Sequence, residues 1–83
     1  MKDVLKELLI GMGEIIKNIR EEKKLTLEDI EFRTGINTSD LSRIEQGKSN
    51  ITFKTFAKIL SALDEQPEIF FKFKLKSIST DKN

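Results

Sequence analysis

The chain has 83 residues, 37% of them hydrophobic, with no cysteine, histidine, tyrosine or tryptophan and a net charge of +1. That length folds one small domain around a single core and leaves no room for an elaborate catalytic cleft. The missing residue types remove disulfides, thiolate metal sites and most general bases and nucleophiles, so neither a metal nor any other cofactor is expected.

In chain order, MKDVLKELLIGMG comes first. Asp3, Lys6 and Glu7 interrupt its apolar stretch, which argues against a signal peptide, and no apolar run is long enough to span a bilayer. A cytoplasmic location and no membrane partner are the expectation. Val4, Leu5, Leu8 and Leu9 form an apolar stripe at helical spacing, and Met12, Ile15, Ile16 and Ile19 continue a similar one, which predicts a first helix from Met12 to about Lys24. Gly11 and Gly13 each lower helix stability by about 1 kcal/mol relative to alanine, so a break or a loosely joined extra helix is expected before it. The leucines of that extension are then free to meet a partner.

Thr26 followed by Asp29 fits a helix-start box, and a second helix is expected from Leu27 to Thr34, ended by Gly35. Ile36 turns inward, and Asn37 caps a third helix that runs to about Gln46 and stops at Gly47. Thr52 caps a fourth, with Phe53, Phe56, Ile59, Leu60 and Leu63 directed inward, and Pro67 suits the first turn of a short fifth helix ending near Phe70. Beyond it the period changes: Phe71, Phe73 and Leu75 alternate with Lys72, Lys74 and Lys76. That is the pattern of a strand with one wet side, and a frayed extension of the fifth helix fits it equally well. A lone strand needs a pairing edge, so Phe71, Phe73 and Leu75 are candidates for pairing with a second copy of the chain. The last residues, STDKN, read as a tail.

Charge is unevenly placed. There are six basic against five acidic residues up to Lys24, three against five from Leu25 to Asn50, and six against four afterwards. Any nucleic-acid reading therefore rests on where a few cations sit rather than on bulk charge. The acidic neighbours Glu21 and Glu22, Glu28 and Asp29, and Asp64 and Glu65 read as helix-surface or helix-start charges. No spacing nominates a catalytic set, and an enzyme is not expected.

The third helix is the informative segment. At 3.6 residues per turn, Leu41 and Ile44 fall on one side, while Thr38, Ser39, Ser42, Arg43 and Gln46 gather on the other. Short hydroxyl side chains let a helix enter a groove about 12 Å wide, and one arginine there can fork onto guanine. For an isolated helix, a simple solvated face is the better explanation. The surrounding order of cap, short helix, glycine turn and second helix changes that balance.

At this point the stretch IIKNIREEKKLTLEDIEFRTGINTSDLSRIEQGK resembles the Xre/Cro-type helix-turn-helix family of phage-repressor-like transcription regulators, over residues 12 to about 70. The resemblance implies an all-α, five-helix lambda-repressor-like DNA-binding domain, here with an alternating segment after it that is either a short strand or more helix. The chain then divides into an N-terminal extension at 1–11, the helix-turn-helix domain at 12–70, and a C-terminal strand or tail at 71–83. It also implies that Thr38, Ser39, Ser42 and Arg43 face base edges, while Thr26, Asn37, Gln46 and Lys48 approach phosphates, contacts that position without specifying sequence. Arg20 and Glu45 match an arginine–glutamate pair that locks helices together in many members. The implied function is a homodimeric repressor of double-stranded DNA reading a pseudo-palindromic operator. The alternative is an antitoxin or a restriction-modification component that binds a toxin or other protein as well as its own promoter.

Overall fold

Each of the described helices begins where a short polar side chain closes on the backbone amide three residues ahead. Asp3 accepts from the amide of Lys6 at 3.0 Å, Thr26 from Asp29 at 3.1 Å, Asn37 from Asp40 at 2.8 Å and Thr52 from Thr55 at 3.1 Å. A free donor at each helix start is thereby satisfied. The computed structural model describes residues 3–66 and Glu68, and the helices those caps open are α1 (Val4–Glu22), α2 (Leu27–Thr34), α3 (Thr38–Glu45) and α4 (Phe53–Ala62).

Three of the four also end alike. The amides of Leu25, Lys48 and Glu65 reach back to the carbonyls of Arg20, Arg43 and Leu60 at 3.0, 2.9 and 2.9 Å. These are the six-to-one bonds of a left-handed stop, with Lys24, Gly47 and Asp64 at φ 59°, 74° and 58°. Gly35, at φ 81°, closes α2 with a bond of 2.7 Å to the carbonyl of Glu31. The short turns that result hold α2 and α3 across one another.

The core between the helices is apolar. Met12, Ile15, Ile16 and Ile19 of α1 meet Ile30 of α2, Leu41 and Ile44 of α3, and Phe56, Ile59, Leu60 and Leu63 in and after α4. Thr34 is buried among them, and its hydroxyl donates to the carbonyl of Ile30 at 2.8 Å while accepting from the amide of Ile36 at 3.1 Å. One hydroxyl thus satisfies two backbone groups at the turn between α2 and α3.

Two expectations are corrected. No break occurs at Gly11 or Gly13, because α1 runs unbroken from Val4 to Glu22 across the expected domain edge at residues 11 and 12. Gly13 serves packing instead: a Cβ built there would lie against the carbonyl oxygen of Ile44 and 2.6 Å from that of Glu45, so only a bare backbone lets α3 approach this closely. The second correction concerns Phe53, which is 80% exposed rather than inward. It occupies the first position of α4, where the chain arrives from the surface. Apart from Glu68, the fifth helix expected from Pro67 lies outside the described residues, as does the strand with Phe71, Phe73 and Leu75, and among those described there is no strand.

Candidate nucleic-acid interface

The orientation of α3 is set by its two apolar side chains. Leu41 and Ile44 are 2% and 4% exposed, which directs the opposite flank of the helix outward. On that flank Ser39 and Arg43 are exposed and Thr38 and Ser42 are half-buried at its edge. The four residues with donors and acceptors therefore share one accessible face on a helix only eight residues long.

Three fixings hold this helix in place. The first is the bare backbone contact at Gly13 already described. The second is an ion pair: Arg20 Nε donates to Glu45 Oε2 at 2.7 Å, Arg20 Nη2 to Glu45 Oε1 at 3.0 Å, and Arg20 Nη1 to the carbonyl of Leu25 at 2.8 Å. Their side chains are 12% and 7% exposed, and Glu21 lies 4.0 Å from the same guanidinium. The hydrogen bonds to Glu45 hold Arg20 protonated more firmly than an ordinary arginine, against the opposing effect of burial. A two-pronged pair between the end of α1 and the end of α3 fixes both the position and the rotation of α3. The third fixing is Gly47, whose missing Cβ leaves room for Ile10 of α1, 2.7 Å from where that atom would stand.

The face is partly organised before any ligand arrives. Gln46 Nε2 donates to Ser42 Oγ at 2.9 Å, which leaves the serine hydroxyl proton free to reach an acceptor such as N7 or O6 of guanine. Arg43 Nη2 donates to the carbonyl of Lys48 at 3.4 Å, a long bond that an incoming base can replace.

The residues matched to phosphate contacts divide. Lys48 is exposed just past the end of α3. Gln46 is exposed but engaged with Ser42. Thr26 and Asn37 are exposed, and both are used by their helices: the amide of Thr26 donates to Asp29 Oδ2 at 2.8 Å, and Asn37 Nδ2 donates to Asp40 Oδ2 at 3.2 Å. The donation from Thr26 holds the carboxyl of Asp29 below the usual carboxylate range. The positive end of α2 is therefore already met by a carboxylate. At Thr26 the side-chain hydroxyl, rather than the backbone amide, is the donor still available.

Two of the nearby cations are engaged elsewhere. Arg33 Nη1 donates to the carbonyl of Ala62 at 2.8 Å, and Lys23 Nζ donates to that of Leu63 at 2.6 Å, so both are drawn to the negative end of α4. Of the three basic residues between Leu25 and Asn50, Arg43 and Lys48 stand at the α3 face and Arg33 does not. Asp40 is a member of the region that the sequence reading passed over. It is exposed in the first turn of α3, next to Thr38 and Ser39, and a carboxylate is a group that can accept from the amino group of cytosine and repels phosphate. Its signal was present in the helical spacing, which sets residue 40 between the buried side and the outward one.

A cap–helix–turn–helix unit, with the second helix anchored by two buried side chains and its polar flank exposed, defines a helix-turn-helix domain. Comparison with known proteins agrees: the family model described as "Helix-turn-helix domain" matches residues 13–75, and the chain belongs to this helix-turn-helix family, in its Xre/Cro-type branch. It is similar to the HTH-type transcriptional repressor RghR of Bacillus subtilis (strain 168), 35% identical over 54 residues, covering 60% of this chain and 40% of the relative. The chain thus spans well under half of that repressor's length. Among solved structures it is similar to the restriction-modification controller protein C.Esp1396I, seen as a tetramer in complex with its natural 35 base-pair operator. There the TM-score is 0.77 and the identity 30%, over 93% of this chain and 97% of that one. A second controller, C.AhdI from Aeromonas hydrophila, gives a TM-score of 0.70 and 27% identity over 75% of this chain and 94% of that one.

Proposed function

We propose that the protein is a sequence-specific DNA-binding transcriptional regulator that acts as a homodimeric repressor on a pseudo-palindromic operator. The observation that carries this reading is the single accessible face of α3, on which Thr38, Ser39, Ser42 and Arg43 stand opposite buried Leu41 and Ile44. Placed in the major groove, Arg43 would fork onto a guanine, and the hydroxyls would donate to or accept from neighbouring base edges. Lys48 would meet a phosphate beside the groove and set the register of the helix.

Two cations at the face are few. A single subunit is therefore a weak DNA ligand, whereas two subunits on half-sites about 34 Å apart gain affinity through effective concentration. The repressor RghR of Bacillus subtilis supports a regulatory role, and the operator-bound C.Esp1396I tetramer supports both the DNA partner and self-association.

The near-complete mutual coverage with C.Esp1396I favours a narrower form of the same reading, in which the protein is the controller of a restriction-modification system. A neighbouring pair of genes for an endonuclease and a methyltransferase is expected on that form. The main reading is tested by selecting bound sequences from a random DNA pool at stated salt. An inverted repeat with half-site centres one helical turn apart is the expected product, and recovery of unenriched sequence would rule the proposal out.

A further inference from the structure

One face of α1 follows the end of α3 residue by residue. Lys6, Ile10, Gly13 and Arg20 are separated by four, three and seven positions, so they share one stripe of the helix. Arg20 holds Glu45 through two hydrogen bonds. Gly13 lies against the carbonyls of Ile44 and Glu45, and Ile10 fills the space beside Gly47. Moving toward the start of α1 therefore moves past the end of α3, from Glu45 to Gly47. Lys6 stands one turn beyond Ile10, about 6 Å along the axis, and so comes beside Lys48. The two lysines line one open hollow of about 400 Å³, with Asp3, Gly47 and Asn50 among its other walls.

Both ammonium groups are uncommitted. Lys6 and Lys48 are exposed, and neither ammonium group makes a hydrogen bond or an ion pair among the described residues. That separates them from Arg20, Lys23 and Arg33, each tied to a carboxylate or a carbonyl. The carboxylate of Asp3, on the wall of the hollow, is turned to its cap, where it accepts from the amide of Lys6 at 3.0 Å. Glu7, the neighbour of Lys6, is turned about 100° away around α1. Asn50 is exposed at the same place and adds an amide donor. The hollow thus presents more positive than negative charge, next to a residue already matched to a phosphate contact.

We infer that Lys6 is a further contact to DNA, holding a backbone phosphate beside the one met by Lys48, so that the first turns of α1 extend the surface that grips the duplex. The inference rests on the DNA-binding reading proposed above and deepens it. The ligand is a phosphodiester of double-stranded DNA rather than a base, because an ammonium on a flexible stem is a point charge without the fixed fork that reads a base edge. The matching family model begins at residue 13, so this cation stands on the turns of α1 that precede the matched region. Together with Arg43 and Lys48 it gives each subunit three cations toward the duplex.

The test is the salt dependence of binding by the full-length protein, measured on the duplex it selects and on an unrelated duplex of equal length. Each phosphate neutralised contributes about 0.9 to the slope of log K against log salt. Lys6→Ala should lower that slope by about one per subunit and weaken both duplexes alike, by roughly three- to ten-fold at about 0.1 M salt, leaving the ratio between them unchanged. Lys6→Arg should keep the native slope. The melting temperature of Lys6→Ala should stay within about 2 °C of native, since the side chain is exposed. Lys58→Ala removes the same charge from an exposed position on α4, away from the hollow, and should leave the slope as it is. An unchanged slope in Lys6→Ala, an equal drop in Lys58→Ala, or a changed ratio between the two duplexes would overturn the inference while the native protein still selected its motif. Failure of the native chain to bind either duplex would instead remove the proposed function, and this inference with it.

Discussion

Replacing Glu45 by alanine should destabilise the domain before it alters what the domain reads. In the native chain Arg20 makes three hydrogen bonds, two to the Glu45 carboxylate at 2.7 and 3.0 Å and one to the carbonyl of Leu25 at 2.8 Å. Glu45→Ala removes the first two and strands a guanidinium whose side chain is only 12% exposed in the native fold, with Glu21 at 4.0 Å as the remaining carboxylate. Breaking a buried pair from one side costs about 3 to 5 kcal/mol because the remaining charge stays poorly solvated. Residual exposure and Glu21 place this case near the lower figure. For a domain of this size total stability is about 4 to 12 kcal/mol, so the loss is a large share of it. The melting temperature should fall by roughly 12 to 24 °C. Thermal and urea unfolding followed by circular dichroism measure this in Glu45→Ala, Arg20→Ala and the double variant. The double variant should lose much less than the sum of the single losses, because each single one strands a charge. At a temperature where Glu45→Ala is still folded, it should select the same DNA motif as the native protein. A loss below about 1 kcal/mol, or additive single effects, would refute the role of this pair as a lock on α3.

Three further outcomes follow from the same geometry. Gly13→Ala should destabilise the fold by about 1 to 3 kcal/mol in urea titration, despite a helix-propensity gain near 1 kcal/mol, because the added methyl group meets the carbonyls of Ile44 and Glu45; a stabilised variant would show that α1 and α3 are not in close backbone contact. Arg43→Ala should weaken operator binding by about 1 to 3 kcal/mol and relax preference at one base pair, whereas Lys48→Ala should weaken all sequences alike and reduce the salt slope by about one. Quantitative footprinting at several salt concentrations separates these two behaviours, and identical effects from both variants would contradict the division into readout and phosphate contact. Finally, Asp29 has its carboxyl pKa lowered in the folded state by the bonds from Thr26. Its contribution is therefore present above the ordinary carboxylate range and is lost as pH falls through the lowered folded value. The melting temperatures of Asp29→Asn and the native protein should differ at neutral pH and converge in acid, and a constant difference would exclude the charged carboxylate as the cause.

Much of the helical frame was legible locally. Thr26, Asn37 and Thr52 announce helix starts through oxygen atoms that need only their own neighbours three residues on, and Gly35 and Gly47 announce stops through the left-handed turn they allow. Leu41 and Ile44 define the inner side of α3 by spacing alone, and with it the outward flank carrying Ser39 and Arg43. The errors arose where a residue answers to a distant part of the chain. Gly13 looked like a helix breaker because propensity counts only its own helix, yet it is kept bare by the end of α3, more than thirty positions away. Phe53 looked like core because it is apolar and in register, yet no element among the described residues covers it.

What the amino-acid order determined by itself was the local alphabet of the fold: the caps of α2, α3 and α4 at Thr26, Asn37 and Thr52, the glycine turns, and a short helix with one apolar and one hydrogen-bonding side. Those features depend on interactions reaching three or four residues, so they can be read in sequence. Tertiary structure decided which polar groups remain available at the surface. Only the folded chain sends Arg33 and Lys23 to the end of α4, and only there is the Arg20–Glu45 pair, which the family resemblance had implied, seen as two hydrogen bonds that occupy both groups. A charged side chain's partner is set by distance in space, and twenty to forty residues of intervening chain carry no local trace of it.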